Sequence, residues 1–433
     1  MTLSSTTLLN GVAVLTRLLT ALALNKVLAI MVGPNGYGLI GQFQSFTSMV
    51  VAFASAPVTN GVVKYTAEFG GQEGRQRDVW RTAASMGLIV SVLTSMLMVI
   101  FQRPIAHWLI EDDGRSWLVV LLACALSFMV LNGLLISILN GLKQLRSMVA
   151  ANIVGSVTSA LTAIGLVSWQ GMNGALAALA ISQSLAFVFT LYIFRRSVRA
   201  TLRSMIGRLD PKLTRGLSHF ALMGLTSAIT IPLAQMAMRN HLADSFGWST
   251  AGLLHALWKI SDTHLLLLTS TLSVYFLPRF AELKDPNELS KELRRGLIFV
   301  TALVLLTSTT LFVGRHEIIL LLLSNQFLPI LDAFGFQLLG DFLKVISLVP
   351  AYTMLSHAQT RIFVVTEIVF AILRVSLTIW LSDFMGLRGA ALAYAVTYAI
   401  YGATMLLVFR RLTEKLRRSL NAAPSESSSS PAS

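Results

Sequence analysis

The stretch WLVVLLACALSFMVLNGLLISIL, residues Trp117–Leu139, runs for 23 residues without one charged side chain. A helix needs about 20 predominantly apolar residues to cross the hydrocarbon core of a bilayer, so this segment is long enough to span a membrane. Its apolar residues are continuous and do not alternate with polar ones, which excludes a strand of a transmembrane barrel. The segment therefore predicts a membrane-spanning helix, and similar segments recur along the chain.

The composition of the whole chain supports the same interpretation. Of its 433 residues, 55% are hydrophobic and 12% are charged, and the mean hydropathy is +0.70. Soluble globular proteins have about 25% charged residues, so this chain has too few charges to cover a soluble fold of its length. We expect an integral membrane protein and exclude an ordinary soluble enzyme. The single cysteine, Cys124, excludes an intrachain disulfide and a cysteine-based metal site.

The same length criterion marks twelve spans, which predict an all-α membrane protein. They are Thr7–Val32, Gly38–Val63, Val79–Phe101, Trp117–Leu139, Met148–Ser168, Gly174–Phe194, Leu217–Leu242, Ala251–Leu277, Gly296–Gly314, Ala333–Leu355, Ile362–Leu381 and Gly389–Phe409. The run His316–Phe327 is too short to cross a bilayer, and the stretch Pro104–Ile110 is its counterpart after the third span. We interpret both short runs as interfacial or re-entrant helices.

The distribution of basic residues predicts the orientation of the chain. The chain has 34 Lys and Arg against 20 Asp and Glu, a formal net charge of +14. If both termini are cytoplasmic, 24 basic residues fall on the cytoplasmic side, with Arg81 at the start of the third span counted among them, while four fall on the opposite side and six lie within spans. Cytoplasmic loops are enriched in Lys and Arg, so we expect both termini in the cytoplasm.

A basic stretch, Arg195–Arg215, joins the sixth span to the seventh. Val198, Leu202, Met205 and Leu209 recur in it at helical spacing, a pattern typical of a helix lying on anionic inner-membrane lipids. No aromatic residue lies between its arginines, so nucleic-acid binding is not expected. We therefore predict a first lobe at 1–196, a basic interfacial linker at 197–215, a second lobe at 216–411, and a tail at 412–433 that starts basic and ends Ser-rich and disordered.

The two halves of the chain repeat each other. An offset of 215 aligns GMNGA at Gly171–Ala175 with GLRGA at Gly386–Ala390, and an offset of 214 aligns Gly33 with Gly247 and Gly38 with Gly252. Six spans separate the equivalent elements, so both halves enter the membrane in the same direction. Transporters bind their substrates between such parallel repeats. We predict two pseudo-symmetric six-helix lobes around a central cavity.

Charged side chains within the spans are the candidate functional residues, because each costs at least ~2.5 kcal/mol to insert at the bilayer centre. They are the cations Arg17, Lys26, Arg239, Lys259, Lys344 and Arg374 and the acids Asp262, Asp341 and Glu367. The surplus of cations predicts a cavity for an anionic substrate, and arginine suits phosphate or carboxylate. The three acids are candidates for proton coupling.

The spacing of these charges leaves structural alternatives open. Lys259 with Asp262, and Asp341 with Lys344, are three residues apart, so each pair shares a helix face and could form a packed ion pair. Lys26 and Arg239 lie near span ends and could extend toward the interface. Arg17 lies mid-span and is the best single candidate for a cation facing the cavity.

No motif in the sequence predicts enzymatic chemistry. The chain contains no GK dipeptide and hence no P-loop, and it contains no HExxH or GxSxG motif. We expect no cofactor and no ATP hydrolysis. The driving force must then be an ion gradient, the membrane potential or consumption of the product.

Several stretches resemble a known family. They are Val32–Gly38 (VGPNGYG), Asn60–Tyr65 (NGVVKY), Phe220–Leu283 with MR at 238–239, ISD at 260–262 and SVYFLP at 273–278, Leu323–Asn325 (LSN) and Gln337–Lys344 (QLLGDFLK). With them the chain, from Arg17 to about Arg411, resembles the Wzx-type polysaccharide flippases of the multidrug/oligosaccharidyl-lipid/polysaccharide exporter superfamily.

This resemblance implies a function and a set of site residues. It implies alternating-access, ion-coupled movement of an undecaprenyl-pyrophosphate-linked oligosaccharide, a lipid III or O-antigen-type unit, from the cytoplasmic to the periplasmic leaflet of the inner membrane. It also implies the polysaccharide polymerase and the chain-length regulator as partners. By resemblance, charged residues of the family also occur at Arg17, Lys26, Lys64, Arg239, Asp262, Asp341 and Lys344. The Ser-rich tail and His241 depart from the family pattern.

Two other functions stay open on the sequence. One is an ion-coupled drug antiporter of the same superfamily, which would change drug susceptibility and leave surface glycan intact. The other is a non-transporting scaffold for glycan polymerisation, which should tolerate charge-neutral substitutions of Arg17 and Arg239.

Overall fold

The computed structural model of the chain describes residues 3–198, 207, 210–283, 285–356 and 360–422, and these residues form helices and no strand. The α-helices are α1 (Leu3–Ser55), α2 (Asn60–Glu68), α3 (Glu73–Ile100), α4 (Gln102–Ile110), α5 (Ser116–Gly141), α6 (Leu145–Ser197), α7 (Pro211–Phe246), α8 (Trp248–Glu282), α9 (Pro286–Val313), α10 (Arg315–Leu322), α11 (Leu331–Ser356), α12 (Thr360–Met385) and α13 (Leu387–Ala422). The all-α prediction is confirmed.

The predicted spans correspond to the long helices. Helix α1 carries the first two spans and bends at Gly33, while α6 carries the fifth and sixth and bends at Gly171. Eight helical stretches of the described chain are long and apolar enough to cross a membrane. Helix α10 has eight residues, about 12 Å of helix, which is too short for a bilayer core of about 30 Å. The exact count of twelve spans stays a prediction.

Glycines with left-handed backbone geometry turn the chain between consecutive spans. Gly33 and Gly247 have φ values of 63° and 83°, and Gly171 and Gly386 have 56° and 57°. A side chain would strain the backbone in this region, whereas glycine adopts it freely. These four positions are the two repeat pairs that the sequence offsets aligned, so the repeat extends to the backbone conformation.

A second pair of repeat-related glycines lies at a close helix crossing. Gly38 on α1 faces Gly252 on α8: a Cβ placed on Gly38 would lie 2.9 Å from the Gly252 nitrogen and 2.8 Å from the Trp248 carbonyl oxygen. Gly38 and Gly252 are themselves equivalent residues of the two halves. Contact between equivalent residues is what a two-fold axis produces, so this crossing supports the predicted pseudo-symmetry.

The described chain forms two compact units. The first comprises Met1–Ala256 with Ile318–Leu328, and the second comprises Leu257–Glu317 with Pro329–Ser433. In the second unit, Phe276, Phe280, Val300 and Val345 form part of a buried apolar core. Many large apolar side chains are nevertheless exposed, among them Leu97, Leu306 and Ile372, which is typical of a surface that faces lipid.

Other predicted boundaries can be compared with the structure only in part, because some of their residues lie outside the described ranges. Residues 199–206, 208 and 209 of the predicted interfacial linker lie outside the described residues, as do residues 423–433 of the tail. Helix α7 begins at Pro211, where the Asp210 carboxylate accepts hydrogen bonds from the backbone nitrogens of Lys212 and Leu213 at 2.8 and 3.3 Å. Helix α13 continues to Ala422, so residues 412–422 are helical. The lobe boundaries stay predictions.

Candidate functional site

The mid-span arginine of α1 lines a cavity in the first unit. The cavity has a volume of about 350 Å³, and Arg17 is the one charged residue among those that line it. Neutral polar side chains from three helices complete the wall, and they include Thr20, Asn132, Asn152, Ser156 and Gln183. The volume lies within the range of ligand pockets. A guanidinium among amides and hydroxyls can bind an acidic group together with sugar hydroxyls.

Arg239, by contrast, lies inside the packed interior of the first unit. It is fully buried, its Nε donates to Gln42 Oε1 at 3.1 Å, and its Nη2 donates to Ser45 Oγ at 2.6 Å. Gln42 Nε2 in turn donates to Asn240 Oδ1 at 2.6 Å. These bonds join α7 to α1. The guanidinium predicted to line the cavity therefore takes part in helix packing.

Lys26 has main-chain partners at the end of the short helix α10. Its ammonium donates to the carbonyl oxygens of Leu320 and Leu323, each at 2.5 Å. The last carbonyls of a helix lack intrahelical donors, and a cation stabilises them. Phe327 also packs edge-on against Tyr37 of α1, with ring centroids 5.5 Å apart. Lys26 thus anchors the segment Ile318–Leu328 onto α1.

A buried polar cluster in the second unit surrounds Asp341. This carboxylate is fully buried; its Oδ1 accepts hydrogen bonds from Ser261 Oγ at 2.5 Å and from the Tyr394 hydroxyl at 3.0 Å. Its Oδ2 lies 3.6 Å from His264 Nδ1. Gln337 Nε2 donates to Ser261 Oγ at 3.1 Å. Helices α8, α11 and α13 all contribute to this cluster.

Two cations of the second unit lie over aromatic rings beside this cluster. Arg374 lies over the rings of Tyr394 and Trp258, 4.7 and 5.3 Å from their centroids. The Lys344 ammonium lies 5.9 Å from the Tyr394 centroid and 5.4 Å from that of Tyr398. Within the described residues no ion pair joins Asp341 to Lys344. The packed pair considered for them on spacing alone is wrong, because Asp341 takes hydroxyl donors from other helices.

The remaining predicted residues lie apart from these clusters or at their edge. Lys64 is exposed on α2, with its ammonium 5.7 Å from the Tyr65 ring centroid. Asp262 is exposed on α8, whereas Lys259 and Glu367 are half-buried. Among the described residues, no three His, Cys, Asp or Glu side chains gather where they could hold a metal ion.

Neutral polar and aromatic residues of both clusters were missed at the sequence level. They are Asn132, Asn152 and Gln183 in the first unit and Trp258, Ser261, His264, Gln337, Tyr394 and Tyr398 in the second. A usable signal existed for some of them. Gln337 is four residues before Asp341, and Ser261 is three before His264, so each pair shares a helix face.

Comparison with known proteins identifies the family. Residues 27–332 match the family described as "Polysaccharide biosynthesis protein". Two relatives, lipid III flippases from Escherichia coli (strain K12) and Shigella flexneri, are each 31% identical to this chain over 410 residues, covering 94% of it and 98% of each relative. The chain belongs to this polysaccharide biosynthesis family. The resemblance found in the sequence motifs is confirmed.

Solved structures of transporters share the fold of this family member. An inward-facing multidrug MATE transporter of the MOP superfamily matches with a TM-score of 0.77 at 14% identity, covering 93% of this chain and 96% of that one. An outward-facing MATE structure matches at 0.65 with 14% identity and 93% of each chain. A MOP transporter from Pyrococcus furiosus matches at 0.65 with 13% identity, covering 95% of this chain and 94% of that one. The predicted two-lobe transporter fold is confirmed.

Proposed function

We propose that this protein is a flippase that moves a lipid-linked oligosaccharide across the bacterial inner membrane. The observation that carries the proposal is the end-to-end identity of 31% with two lipid III flippases, over 98% of their length. The helical multi-pass fold and the transporter architecture agree with it. The protein is a membrane transporter and not an enzyme.

The finer details rest on the charges. The substrate is an undecaprenyl-pyrophosphate-linked unit, of the lipid III or O-antigen type, and a surplus of intramembrane cations suits its pyrophosphate. It moves from the cytoplasmic to the periplasmic leaflet by alternating access, coupled to an ion gradient. Both termini are cytoplasmic, since 24 basic residues then lie on that side. Anionic lipids, the polysaccharide polymerase and the chain-length regulator are proposed partners.

The proposed substrate contacts differ in the support that each has. Arg17 is exposed to a cavity of about 350 Å³. Arg374 and Lys344 are half-buried over aromatic rings, and the buried Arg374 Nε has no hydrogen-bond partner among the described residues. These three cations are the strongest candidates for contacting the pyrophosphate. Lys64 and Lys259 complete the proposed cationic set, whereas Lys26 and Arg239, which were predicted with them, bind main-chain and side-chain groups of the protein itself. Asp262, Asp341 and Glu367 are the proposed coupling acids.

Complementation and reconstitution test this function. An Escherichia coli strain lacking its lipid III flippase should accumulate the lipid-linked unit on the cytoplasmic side, and expression of this chain should relieve that accumulation. Liposomes containing the purified protein should exchange defined lipid-pyrophosphate glycans between leaflets. No relief and no exchange would disprove the proposal. Changed drug susceptibility without any effect on glycan would instead indicate a drug antiporter.

A substitution at the cavity tests the proposed binding residue and separates a transporter from a scaffold. Arg17→Gln should lower leaflet exchange strongly, whereas Arg17→Lys should retain part of it, because a positive charge remains without the guanidinium fork. Arg77→Gln, on the exposed start of α3, is the matched control and should behave like the unaltered protein. Normal exchange by Arg17→Gln would exclude Arg17 from substrate binding.

A further inference from the structure

We propose that His264 and Asp341 together form a binding site for one proton in the second unit, and that its occupancy controls transport. The second clause rests on the proposed flippase function, whereas the first does not. His264 lies within the stretch Phe220–Leu283 that carries the family resemblance, but it was not a predicted site residue and has no role in the proposed substrate contacts. The proposal follows from the hydrogen-bond partners of the two side chains.

On the Asp341 side, every neighbouring donor is directed at one oxygen. The hydroxyls of Ser261 and Tyr394 both donate to Oδ1. The Ser261 hydroxyl has one proton, which it donates to Asp341 Oδ1, while its oxygen accepts from Gln337 Nε2. Oδ2 is buried and has no hydrogen-bond donor among the described residues. Only one of the two oxygens of this fully buried carboxylate therefore accepts hydrogen bonds from the described residues.

On the His264 side, the bond to Thr307 is compatible with either neutral tautomer of the imidazole. When the Thr307 hydroxyl donates to the Val304 carbonyl oxygen at 3.2 Å, its oxygen accepts from His264 Nε2 at 3.0 Å; when the hydroxyl donates to Nε2, the bond to Val304 is lost. A neutral imidazole can therefore coexist with the Thr307–Val304 bond only with its hydrogen on Nε2. In a neutral imidazole the other nitrogen, Nδ1, then presents a lone pair. That nitrogen is buried and without a hydrogen-bond partner among the described residues.

In that arrangement two acceptors face each other with no hydrogen between them, whereas the other tautomer places the hydrogen on Nδ1 and loses the Thr307–Val304 bond. Nδ1 and Oδ2 are 3.6 Å apart, and the two side chains are 7% and 0% exposed. A buried acceptor left unpaired destabilises the folded protein, and in the first arrangement two such acceptors also repel each other. One proton removes both penalties at once, because it converts the contact into an N–H···O bond. Charge-assisted bonds of this kind measure about 2.7–2.9 Å, so proton binding would also draw α8 and α11 together.

The charged groups around the pair come from each helix packed on it. Arg374 of α12 and Lys344 of α11 lie over the face of Tyr394, whose hydroxyl donates to Asp341. Helix α8 also carries Lys259 and Asp262, five and two residues before His264, and α9 contributes the neutral Thr307. One side chain, Tyr394, therefore contacts both the carboxylate and the two cations proposed to hold the substrate. A change of one charge at Asp341 is felt at Arg374 and Lys344 through a direct chain of contacts.

Variants of the two residues test the site by transport. In liposomes with an imposed proton gradient, His264→Asn and Asp341→Asn should each lose the effect of the gradient on exchange and the dependence of exchange on pH. If both residues hold one proton, the double variant should lose no more than the worse single variant. His107→Asn is the matched control, because His107 and Asp113 form a 3.2 Å pair that is 71% and 66% exposed. It should keep the full gradient response.

A readout without substrate separates this proposal from the flippase function. The pH-dependent infrared difference spectrum of the purified protein should contain a carboxyl or imidazole signal that both single variants lose and His107→Asn retains. Thermal unfolding in detergent identifies any variant that fails to fold. His264→Asn places an amide near the Nδ1 position that can donate to Asp341 Oδ2, so this variant tests the proposal by itself if Asp341→Asn does not fold. A gradient response and infrared signal that survive in His264→Asn would overturn the proposal.

Discussion

At the scale of the residue, two intramembrane arginines have opposite surroundings. Arg17 is exposed to a polar cavity, whereas Arg239 is fully buried and hydrogen-bonded to Gln42 and Ser45. Their sequence contexts are similar apolar helices, so the side-chain type alone predicts the same role for both. Their surroundings instead support the proposed ligand contact for Arg17 and place Arg239 in helix packing.

Substitution of the buried arginine should therefore affect stability. Arg239→Met removes two hydrogen bonds to a charged donor, each worth about 1.5–3 kcal/mol, and leaves buried polar groups of α1 unpaired. We expect a clear fall in the unfolding temperature measured in detergent. Arg17→Met should leave that temperature unchanged. An Arg239→Met protein of normal stability that has lost substrate binding would contradict this assignment.

Lys26 should act on one short segment of the chain. Lys26→Met removes the two bonds from its ammonium to the Leu320 and Leu323 carbonyls. We expect faster backbone hydrogen exchange at Ile318–Leu328, measured by mass spectrometry, because the end of α10 loses its cation. Lys212→Met, at an exposed position at the start of α7, should leave exchange in this segment unchanged. Equal exchange in both variants would exclude the anchoring role.

At the scale of the element, glycines decide where helices turn and where they touch. The hydropathy pattern separates the first two spans, but the backbone passes between them with only a bend at Gly33, so one continuous helix carries both. Similar geometry recurs at Gly171. A hydropathy window along the sequence detects the polar residues between the two spans but not the angle between them, because glycine adopts backbone conformations with φ of either sign.

The close crossing of α1 and α8 gives a stability prediction. Gly38→Ala places a methyl group 2.8 Å from the Trp248 carbonyl oxygen, so the helices must separate and the unfolding temperature should fall. Gly165→Ala, within α6, meets no atom within 4 Å and should be neutral or stabilising by about 0.5–1 kcal/mol, because alanine favours a helix. If both substitutions changed the unfolding temperature in the same direction, the crossing of α1 and α8 would be loosely packed.

At the scale of the whole molecule, the basic residues behind the net charge of +14 form two groups. One group indicates the orientation of the chain, and the other suits the binding of a substrate. Most basic residues lie outside the spans, where they bias the cytoplasmic side, and six lie within them. Charged residues outside the spans are excluded from the bilayer core, so their number gives no information about the substrate. The six intramembrane cations are the part that an anionic substrate can use.

Cysteine labelling tests the predicted orientation. In a Cys124→Ser background, a cysteine at Ser4 or at Asn421 should react with a membrane-impermeant maleimide only after the cells are opened, because both termini are proposed to be cytoplasmic. A cysteine at Asp113, in the turn before α5, should react in intact cells. Labelling of the termini in intact cells would reverse the predicted orientation.

Much of the fold was predictable because the bilayer imposes a length and a polarity on each span. The repeat was predictable for a related reason: Gly33 and Gly247 need the same rare backbone geometry, which preserves the residue type. The site was predictable only as a set of charged residues. Ser261, His264 and Tyr394 were missed because neutral polar residues cost little to insert and leave no strong hydropathy signal.

The sequence by itself determined that this is a helical membrane protein of two repeated halves, with surplus cations in its spans and the motifs of a flippase family. Those properties follow from composition, periodicity and residue type. The tertiary structure alone decided the partners of each charge: a cavity for Arg17, packing for Arg239, a helix end for Lys26 and hydroxyl donors for Asp341. The physical reason is that these partners lie on other helices, and a hydrogen bond depends on separations of a few ångströms that spacing along one helix does not specify.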